Sequence, residues 1–355
     1  MTWNEIDWTA LERLRAGFLH GAAAEGAYWQ NARDLASYDF TYGERIGWKW
    51  DAVLTELKLR GWRPTAGESV LDWGCGSGIA GRRVIGAFSP TRFARLRVWD
   101  HSPLAMDFAA DAAARAFPGL DVAAATPDLL QGDDAIGLLV ISHVLNELPP
   151  AILVELRALC ARARAIIWVE PGTHGVSRQL SALRDELRAT FAIIAPCTHA
   201  KACPILLPEN SRDWCHHFAP PPSEIFAQPD WVKFGQRAGI DLRSLPYCFF
   251  ALDRTWNESR PSHFPAPADG EISAVPPDAP LSRIIGRPEH FKPYARFLNC
   301  DASGLAELTL PKRADPALYK QLDRTKAPLV YRWRRSGDEV LGGEPLDKPT
   351  SILPT

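Results

Sequence analysis

The sequence predicts an α/β protein with a parallel sheet, preceded by a helical segment and followed by a small β-rich appendage. Short apolar runs alternate with helical stretches between Ser69 and about Arg254, which is the pattern of strands joined by helices. A glycine-rich turn follows the first run, and a proline-rich stretch separates this region from further β-like runs. The 355 residues, 46% of them apolar, can bury the core of one large domain with an appendage, or of two domains.

Residues 1–62 are predicted to form a helical lead-in. Apolar and charged positions mix at helical spacing from Asp7 to about Gly61, and this glycine suits a helix stop. The first residues lack the basic start and apolar core of a signal peptide and the character of a transit peptide. No later run is long enough to span a bilayer. We therefore expect a cytoplasmic protein that does not contact membranes.

Residues 63–254 form the predicted sheet domain. Its strand candidates are the runs SVLDW, LRVWD, IGLLVIS, AIIWVE and YCFFALDR. The segments between them, such as PAILVELRALCARAR, have helical patterning. The last part of this domain carries a cysteine-bearing insert at residues 195–218.

The remaining chain is predicted to form a linker, an appendage and a tail. Residues 255–280 are rich in proline and poor in periodic apolar positions, as in a linker or long loop. Residues 281–336 contain short β-like runs around a DASG turn, which indicates a small β-rich appendage. Residues 337–355 have the composition of a loose tail.

The glycine-rich turn lies within VLDWGCGSGIAG, from Val70 to Gly81. Gly74, Gly76 and Gly78 let the backbone turn sharply and approach a ligand. The amides at the start of the following helix then face that ligand. The alternative is that the turn only packs a strand against a helix.

The pattern D-x-G-C-G-S-G resembles the first motif of class I S-adenosylmethionine-dependent methyltransferases, since the acidic residue precedes the glycines. The resemblance implies a Rossmann-like fold that binds S-adenosylmethionine (SAM). It implies that Asp100, which ends LRVWD, accepts hydrogen bonds from the ribose hydroxyls. LLVISHVLNELPP resembles the fourth strand and following loop of that family. The resemblance places these residues at the cofactor: Asp72, Gly74, Gly76, Gly78, Asp100 and Ser142.

A catalytic role is less well supported than cofactor binding. Methyl transfer often needs a base or a polarising group beside the acceptor, and the candidates are His143, Asn146 and Glu147. The N-P-P-[FY] turn of many base methylases is absent from the sequence, as is a cysteine nucleophile beside the pocket. In the alternative interpretation, His143 is a satisfied polar residue at a strand end and Glu147 complements a helix dipole.

Seven cysteines in a large intracellular chain favour metal binding over disulfides. Cys197, Cys203 and Cys215 lie in a proline-broken segment with C-x5-C-x11-C spacing. With Cys300 they suit a tetrahedral zinc ion or an iron–sulfur cluster. Three histidines lie among these cysteines and leave a mixed zinc site open: His199, His216 and His217. Two further cysteines are expected to be buried core residues: Cys75 and Cys160.

Over most of its length, from about Tyr38 to Trp333, the sequence resembles the small-ribosomal-subunit methyltransferase-like assembly factors of mitochondria and bacteria. The resemblance rests on the ordered motifs VEPGT, APC, CP, DWCHHF, YCFFALDR, RIIGRP and FLNCDASG. It implies a class I methyltransferase fold that carries a [4Fe-4S] cluster and acts on the small ribosomal subunit. The cluster cysteines of that family fall on Cys197, Cys203, Cys215 and Cys300, with Cys248 as a competitor for the fourth position.

The formal net charge of -2 limits any nucleic-acid contact to a local patch. Basic and aromatic residues interleave from Lys312 to Arg335, and with the resemblance we expect this run to contact ribosomal RNA by pairing phosphates and stacking on bases. Two alternatives stay open. One is an active methyltransferase on a small molecule or protein with a structural zinc site, and the other is a non-catalytic iron–sulfur scaffold.

Overall fold

The computed structural model describes residues 1–20, 28–256, 279–323 and 329–346. The chain divides into two compact units, each built from separate stretches of sequence. The first unit comprises Met1–Leu54, Arg63–Glu170 and Pro220–Leu245. The second unit comprises Thr55–Trp62, Pro171–Ala219 and Pro246–Thr355.

The first unit contains five parallel strands in the order β3-β2-β1-β4-β5. The strands are β1 (Glu68–Trp73), β2 (Phe93–Trp99), β3 (Asp121–Ala124), β4 (Ile136–Ser142) and β5 (Ala163–Pro171). This strand order is that of the Rossmann-like fold of class I methyltransferases. The order in which successive strands are added changes direction between β1 and β4, and such sheets bind ligands there, beyond the carboxyl ends of the strands. The predicted α/β fold with a parallel sheet is therefore confirmed.

The central strands are continuous apolar runs because they are covered on both faces. Leu138 to Ile141 of β4 and Ala165 to Val169 of β5 are all buried. Strands of a parallel sheet with helices on both sides have this composition. By contrast, β3 is short and half-exposed, with the sequence DVAA, and no apolar run in the sequence indicated it.

Helices precede, connect and follow these strands. In the first unit they are α1 (Trp8–His20), α2 (Ala32–Tyr38), α3 (Glu44–Leu59, which continues into the second unit), α4 (Ile79–Phe88), α5 (Pro103–Ala116), α6 (Pro127–Gln131), α7 (Pro150–Arg162), α9 (Glu224–Ala227) and α10 (Pro229–Ala238). A π-helical turn, Asp39–Gly43, joins α2 to α3. The predicted helical lead-in contains α1, α2 and α3, and it packs against the sheet domain, because Leu14, Trp29 and Leu35 form one core cluster with Ala105 of α5.

The second unit contains a helix and three antiparallel strands around the cysteine-bearing insert. These elements are α8 (His174–Leu187), β6 (Ala192–Ala195), β7 (His217–Phe218) and β8 (Pro246–Asp253). Strand β8 pairs antiparallel with both β6 and β7. The run YCFFALDR was predicted as a strand and is β8, whereas β6 and β7 have four and two residues and escaped prediction.

The appendage of the second unit is a closed five-stranded barrel. Its elements are β9 (Leu281–Phe291), β10 (Tyr294–Asp301), β11 (Gly304–Pro311), α11 (Pro316–Leu322), β12 (Val330–Ser336) and β13 (Glu339–Pro345). The strands close in the order β10-β11-β13-β12-β9, with β11 parallel to β13 and the other pairs antiparallel. A barrel of this order with a helix after its third strand is an OB-fold.

Two sequence predictions concern the segments next to the barrel. One needs correction, and the other falls on residues that the structure does not describe. The tail predicted from residue 337 is wrong in its first part, because β13 completes the barrel with Val340 in its core. The predicted linker at 255–280 lies almost entirely outside the described residues. No helix in the described ranges is both long and apolar enough to cross a bilayer.

Candidate functional site

The glycine turn after β1 combines close packing with one open side. Gly74 and Gly76 both have positive φ, 68° and 51°. A Cβ atom on Gly74 would lie 2.6 Å from Cγ1 of Val144, so only glycine fits there. A Cβ atom on Gly76 would meet nothing within 4 Å. The turn therefore faces open space at Gly76, as the backbone of a ligand-binding loop must.

Asp100, directly after β2, is buried and lies against this turn. Its Oδ2 accepts a hydrogen bond from the Gly76 amide at 2.9 Å, and its Oδ1 accepts one from the Ser102 amide at 2.9 Å. Burial raises the pKa of Asp100, and the two backbone donors oppose that rise. A carboxylate has about four lone-pair sites, so each oxygen keeps capacity for a further donor such as a hydroxyl.

Asp72 lies deeper than the turn. The side chain is fully buried, and its Oδ2 accepts a hydrogen bond from the Gly81 amide in α4 at 2.9 Å. Burial raises the pKa of Asp72 to about 7. Its Oδ1 has no hydrogen-bond partner among the described residues, and neither does Oγ of Ser77 in the glycine turn. The contact that the structure shows for Asp72 holds β1 to α4.

His143 follows Ser142 at the end of β4 with a φ of 56°. Its Nε2 lies 3.0 Å from Nζ of the buried Lys49, and its Nδ1 lies 3.2 Å from Oγ of Ser142. A lysine ammonium can only donate, so Nε2 is the acceptor and Nδ1 carries the proton. Ser142 Oγ also accepts a hydrogen bond from Nε1 of Trp50 at 2.9 Å.

These contacts decide the protonation state of His143. Burial, followed by the charge of Lys49, holds its pKa well below its usual range, so the ring is neutral. Both ring nitrogens are occupied. His143 is therefore held as a positioned polar side chain and not as an available base.

Two glutamates lie near the turn, and one of them was not identified from the sequence. Glu147 ends a 3₁₀ turn after β4, and burial, followed by the charges of Glu170 and Asp100, raises its pKa to about 7. Glu170, in β5, accepts hydrogen bonds through Oε1 from the amides of Val144 and Leu145, each at 3.1 Å. Its Oε2 is buried without a partner among the described residues. The third catalytic candidate, Asn146, is exposed.

The segment just before α2 contributes aromatic rings that the sequence did not indicate. The ring centroids of Tyr28 and His101 lie 6.1 Å apart, and Tyr28 packs against Trp29. Burial raises the pKa of the Tyr28 hydroxyl, and the charges of Glu147 and Asp100 raise it further. Tyr28 therefore interacts electrostatically with both carboxylates, and its ring neighbours His101, the residue after Asp100.

The second unit groups four of the seven thiols. Cys197 follows β6, Cys203 precedes a 3₁₀ turn, Cys215 precedes β7, and Cys300 lies on β10. Burial, followed by the neighbouring Cys197 thiol, raises the pKa of Cys203 to about 11. Burial also raises the pKa values of Cys215 and Cys300, with contributions from the other thiols of the group. We call these four residues the thiol group.

The segment that carries the first three thiols is irregular, yet its backbone is held at many points. Arg60 donates to the carbonyls of Ile194, Pro196 and Cys197 at 2.8 to 3.0 Å. From α8, Arg184 donates to the carbonyls of His199 and Lys201, while Asp185 accepts from the Cys203 amide. Ser177 donates to the Cys215 carbonyl. The protein thus fixes these cysteines without regular secondary structure.

Two of the three histidines in this segment contact the thiol group. Nε2 of His199 lies 3.6 Å from Sγ of Cys300, and Nε2 of His217 lies 3.8 Å from Sγ of Cys215. Burial lowers the pKa of both histidines. His216 instead stacks on Trp214, with ring centroids 4.4 Å apart.

The three remaining cysteines are all buried outside the thiol group. Cys75 and Cys160 are buried, as predicted. Cys248, the competitor for the fourth ligand position, is buried in β8 and its thiol donates to the Pro171 carbonyl at 3.4 Å. Within the described ranges, no group of three or more His, Cys, Asp or Glu side chains is arranged to hold a metal ion. The assignment of metal ligands therefore stays a prediction.

Two of the three aromatic residues in the predicted RNA-contacting run are not available to bases. Tyr331 and Trp333 are buried in the barrel core, where their rings stack with centroids 4.2 Å apart. The prediction that these two rings stack on bases is wrong, because inward positions of β12 fill the barrel. Residues 324–328 of the same run lie outside the described residues.

The chain resembles proteins of known family and structure. Residues 50–221 match the model of a family described as mitochondrial small ribosomal subunit Rsm22. No curated protein matches. Similar solved structures include magnesium protoporphyrin IX methyltransferase from Synechocystis PCC 6803 with bound SAM, at 15% identity over 70% of this chain and 98% of that chain, with a TM-score of 0.37.

Two further structures are similar at comparable levels. One is the N-methyltransferase NodS from Bradyrhizobium japonicum WM9 in complex with S-adenosyl-L-homocysteine, at 13% identity over 58% of this chain and 85% of that chain, with a TM-score of 0.36. The other is a SAM-dependent methyltransferase from Aquifex aeolicus, at 11% identity over 46% of this chain and 90% of that chain, with a TM-score of 0.34. At these identities the likeness concerns the fold alone.

Proposed function

We propose that the chain, whose residues 50–221 match the Rsm22 family model, is a methyltransferase-like protein that binds SAM and acts on the small ribosomal subunit. The role is that of an assembly factor, with methylation of ribosomal RNA as its reaction if it is catalytic. The observation that carries the cofactor proposal is the placement of Asp100 against the open side of the glycine turn, 2.9 Å from the Gly76 amide.

The residues present fit SAM. The ribose hydroxyls of the cofactor would donate to the free lone pairs of Asp100, and its carboxylate would meet the amides at the start of α4. The ring of Tyr28 would lie beside the adenosine, since its centroid is 6.1 Å from that of His101, which follows Asp100. When bound, SAM supplies an electrophilic methyl group.

Among the candidate bases, Glu147 is favoured over His143. A general base works best when its pKa is near the working pH, and the pKa of Glu147 is raised to about 7. His143 is neutral, but Lys49 and Ser142 occupy its two nitrogens. Glu170 is a positioning residue in this proposal. It accepts hydrogen bonds from the amides of Val144 and Leu145 and so holds the segment that carries Glu147.

The cofactor proposal is tested by titrating SAM into the purified chain by calorimetry. Asp100→Ala should weaken binding by about 1–3 kcal/mol, because ligand hydroxyls lose a buried acceptor. Asp111→Ala, which removes an exposed carboxylate from α5, serves as the matched control and should bind as the wild type does. Unchanged SAM affinity in a folded Asp100→Ala variant would remove Asp100 from the site.

The finer proposal is that the thiol group holds a [4Fe-4S] cluster. Four thiolates need cationic charge to offset their own, and Arg184 and Arg283 both interact electrostatically with cysteines of the group. A [4Fe-4S] cluster contains several iron and sulfide atoms, so its four cysteines surround a space large enough for the whole cluster. A zinc ion is a single atom, so its four ligands converge on one point. Zinc is the alternative occupant.

Anaerobic purification followed by iron, sulfide and zinc analysis separates these occupants. About four iron and four sulfide per chain are expected of a [4Fe-4S] site. Cys197→Ser or Cys203→Ser should abolish the iron content and lower the soluble yield, while Cys160→Ser, at a buried cysteine outside the group, should retain the iron. Zinc without sulfide would establish the alternative, and a fully loaded Cys197→Ser variant would remove that ligand.

The compartment does not affect this proposal. The family description names mitochondria, whereas the sequence predicted a cytoplasmic protein. Small ribosomal subunits occur in both. Cosedimentation of the chain with small subunits, compared with assembled ribosomes, tests the partner directly, and an equal distribution between the two would contradict an assembly role.

A further inference from the structure

We propose that His217 is a positioning residue of the thiol group, whose Nε2–H donates a hydrogen bond to the sulfur of Cys215. Arg283, on the other side of the ring, sets the tautomer that makes this donation possible. The inference rests on the proposed metal site for its purpose, because a hydrogen bond to sulfur favours the thiolate, which is the form that binds metal.

The buried ring of His217 has one partner at each nitrogen. Its Nδ1 lies 3.3 Å from Nε of Arg283, and its Nε2 lies 3.8 Å from Sγ of Cys215, within reach of a hydrogen bond to sulfur. His217 and Arg283 are both buried, so bulk water does not compete for these contacts. The two partners therefore determine how the ring is protonated.

The chemistry of arginine decides which nitrogen of His217 carries the proton. A guanidinium has only N–H donors and stays charged in proteins, so Nε of Arg283 donates and Nδ1 of His217 accepts. A doubly protonated ring would place two N–H groups against each other at Nδ1. The neutral ring with its proton on Nε2 is the form that fits, and the sulfur of Cys215 is then the acceptor.

Arg283 is itself held in place by the ion pair with Glu56. Its Nη1 donates to Oε1 of Glu56 and to the Pro196 carbonyl, the second at 3.3 Å. The contacts run from Glu56 through Arg283 and His217 to Cys215. They connect all three stretches of chain that make up the second unit.

Aromatic neighbours fix the plane of the His217 ring. Tyr247 and Phe249 of β8 both meet it edge to face, with ring centroids 5.7 and 5.8 Å away and interplanar angles of 64° and 75°. The pairing of β7 with β8 places His217 opposite Tyr247. Packing and the Arg283 contact together keep Nε2 beside Cys215.

The other two histidines of the insert differ from His217. Nε2 of His199 lies 3.6 Å from Sγ of Cys300, but its Nδ1 is buried without a hydrogen-bond partner among the described residues. No second contact therefore sets its tautomer. His216 stacks on Trp214 and its Nδ1 lies 3.0 Å from the Trp214 carbonyl. Of the three, His217 is the histidine whose proton the structure assigns to the sulfur side.

The first test reads the tautomer directly. Long-range proton–nitrogen correlation NMR of the full chain, labelled with nitrogen-15 in histidine, distinguishes a protonated from an unprotonated ring nitrogen. The signal that disappears in His217→Phe identifies this ring. We expect a protonated Nε2 and an unprotonated Nδ1. A protonated Nδ1, or an averaged mixture of the two tautomers, would overturn the inference.

The second test asks whether the donor stabilises the bound metal. The full chain is purified anaerobically, and the loss of its iron or zinc to a chelator is followed with time. His217→Phe keeps a ring but no donor, and it should lose metal about tenfold faster, as is typical when a partner of a metal ligand is removed. His217→Gln keeps an N–H at a similar distance from the backbone and should stay within about threefold of the wild type.

His216→Phe is the matched control, because it changes the neighbouring histidine, which stacks on Trp214 instead of contacting Cys215. It should lose metal at the wild-type rate. Equal rates in His216→Phe and His217→Phe would overturn the inference, and so would a His217→Gln chain as labile as His217→Phe, since ring packing would then be the cause.

Two further comparisons keep the results separate. If His217→Phe does not fold, as judged by circular dichroism, His217→Asn replaces it, because its shorter amide does not reach the position of Nε2, and the signal of His217 is then assigned from that variant. A wild-type chain that holds neither iron nor zinc would contradict the proposed metal site alone. The NMR measurement needs no metal and would still decide the tautomer of His217.

Discussion

At the scale of single residues, carboxylates at the ends of strands set the character of the first unit. Asp72, Asp100 and Glu170 all lie at or near a strand end, and each accepts hydrogen bonds from backbone amides. Asp72 and Glu170 each leave one buried oxygen without a partner in the described part of the chain. Of these three carboxylates, Asp100 is the one that lies against the open side of the glycine turn, which is why we propose it as the cofactor ligand.

Glu147 should make stability depend on pH. Its pKa is raised to about 7 from an ordinary value of 4.5, so its contribution to stability is complete below about pH 4.5 and is lost as pH rises through 7. In the wild type, the free energy of unfolding should therefore fall by about 1–3 kcal/mol between pH 5 and pH 7.5. Glu147→Gln should abolish this fall. Urea titrations of both proteins at the two pH values measure it.

The control for this prediction is Glu155→Gln, which changes an exposed glutamate on α7. Its pH profile should follow that of the wild type. If the profile of Glu147→Gln also follows the wild type, the carboxyl of Glu147 titrates normally, and its proposed role as a base near neutral pH loses its support.

At the scale of elements, a buried ion pair joins the end of α3 to β9 in the second unit. Glu56 accepts hydrogen bonds from both Arg60 and Arg283, and Arg283 is 1% exposed. Arg283 Nε also lies 3.3 Å from Nδ1 of His217, which contacts Cys215. The ion pair therefore supports the same backbone that presents the thiol group.

Glu56→Gln should destabilise the second unit by about 3–5 kcal/mol, because it leaves two buried guanidiniums without their carboxylate. The exposed pair of Glu12 and Arg237 offers a matched comparison, and Glu12→Gln should cost less than about 1 kcal/mol. Urea unfolding of both variants checks the contrast. Equal effects would mean that burial does not govern the Glu56 pair.

Prediction from the sequence succeeded where a pattern is local. The runs that became β1, β2, β4, β5 and β8 each carry a local apolar pattern, which is continuous in β4 and alternates with arginines in β2, and that pattern sufficed to predict them. Strands such as β7, with two residues, exist only because β8 pairs with them. Lys49 and Glu170 were missed because their importance comes from contacts with residues 94 and 26 positions away. Tyr331 and Trp333 were predicted to be accessible, because the sequence alone does not show which residues of a barrel strand point into the barrel.

At the scale of the whole molecule, the second unit is assembled from three separate stretches of the chain. Cys215 and Cys300 are 85 positions apart in the sequence. Ribosomes add about 5–20 residues each second, so during synthesis the first three thiols would wait roughly 4–17 seconds for the fourth. Throughout that interval the nascent chain exposes an incomplete thiol set, so the cluster that we propose for this group could be completed only after Cys300 has been added.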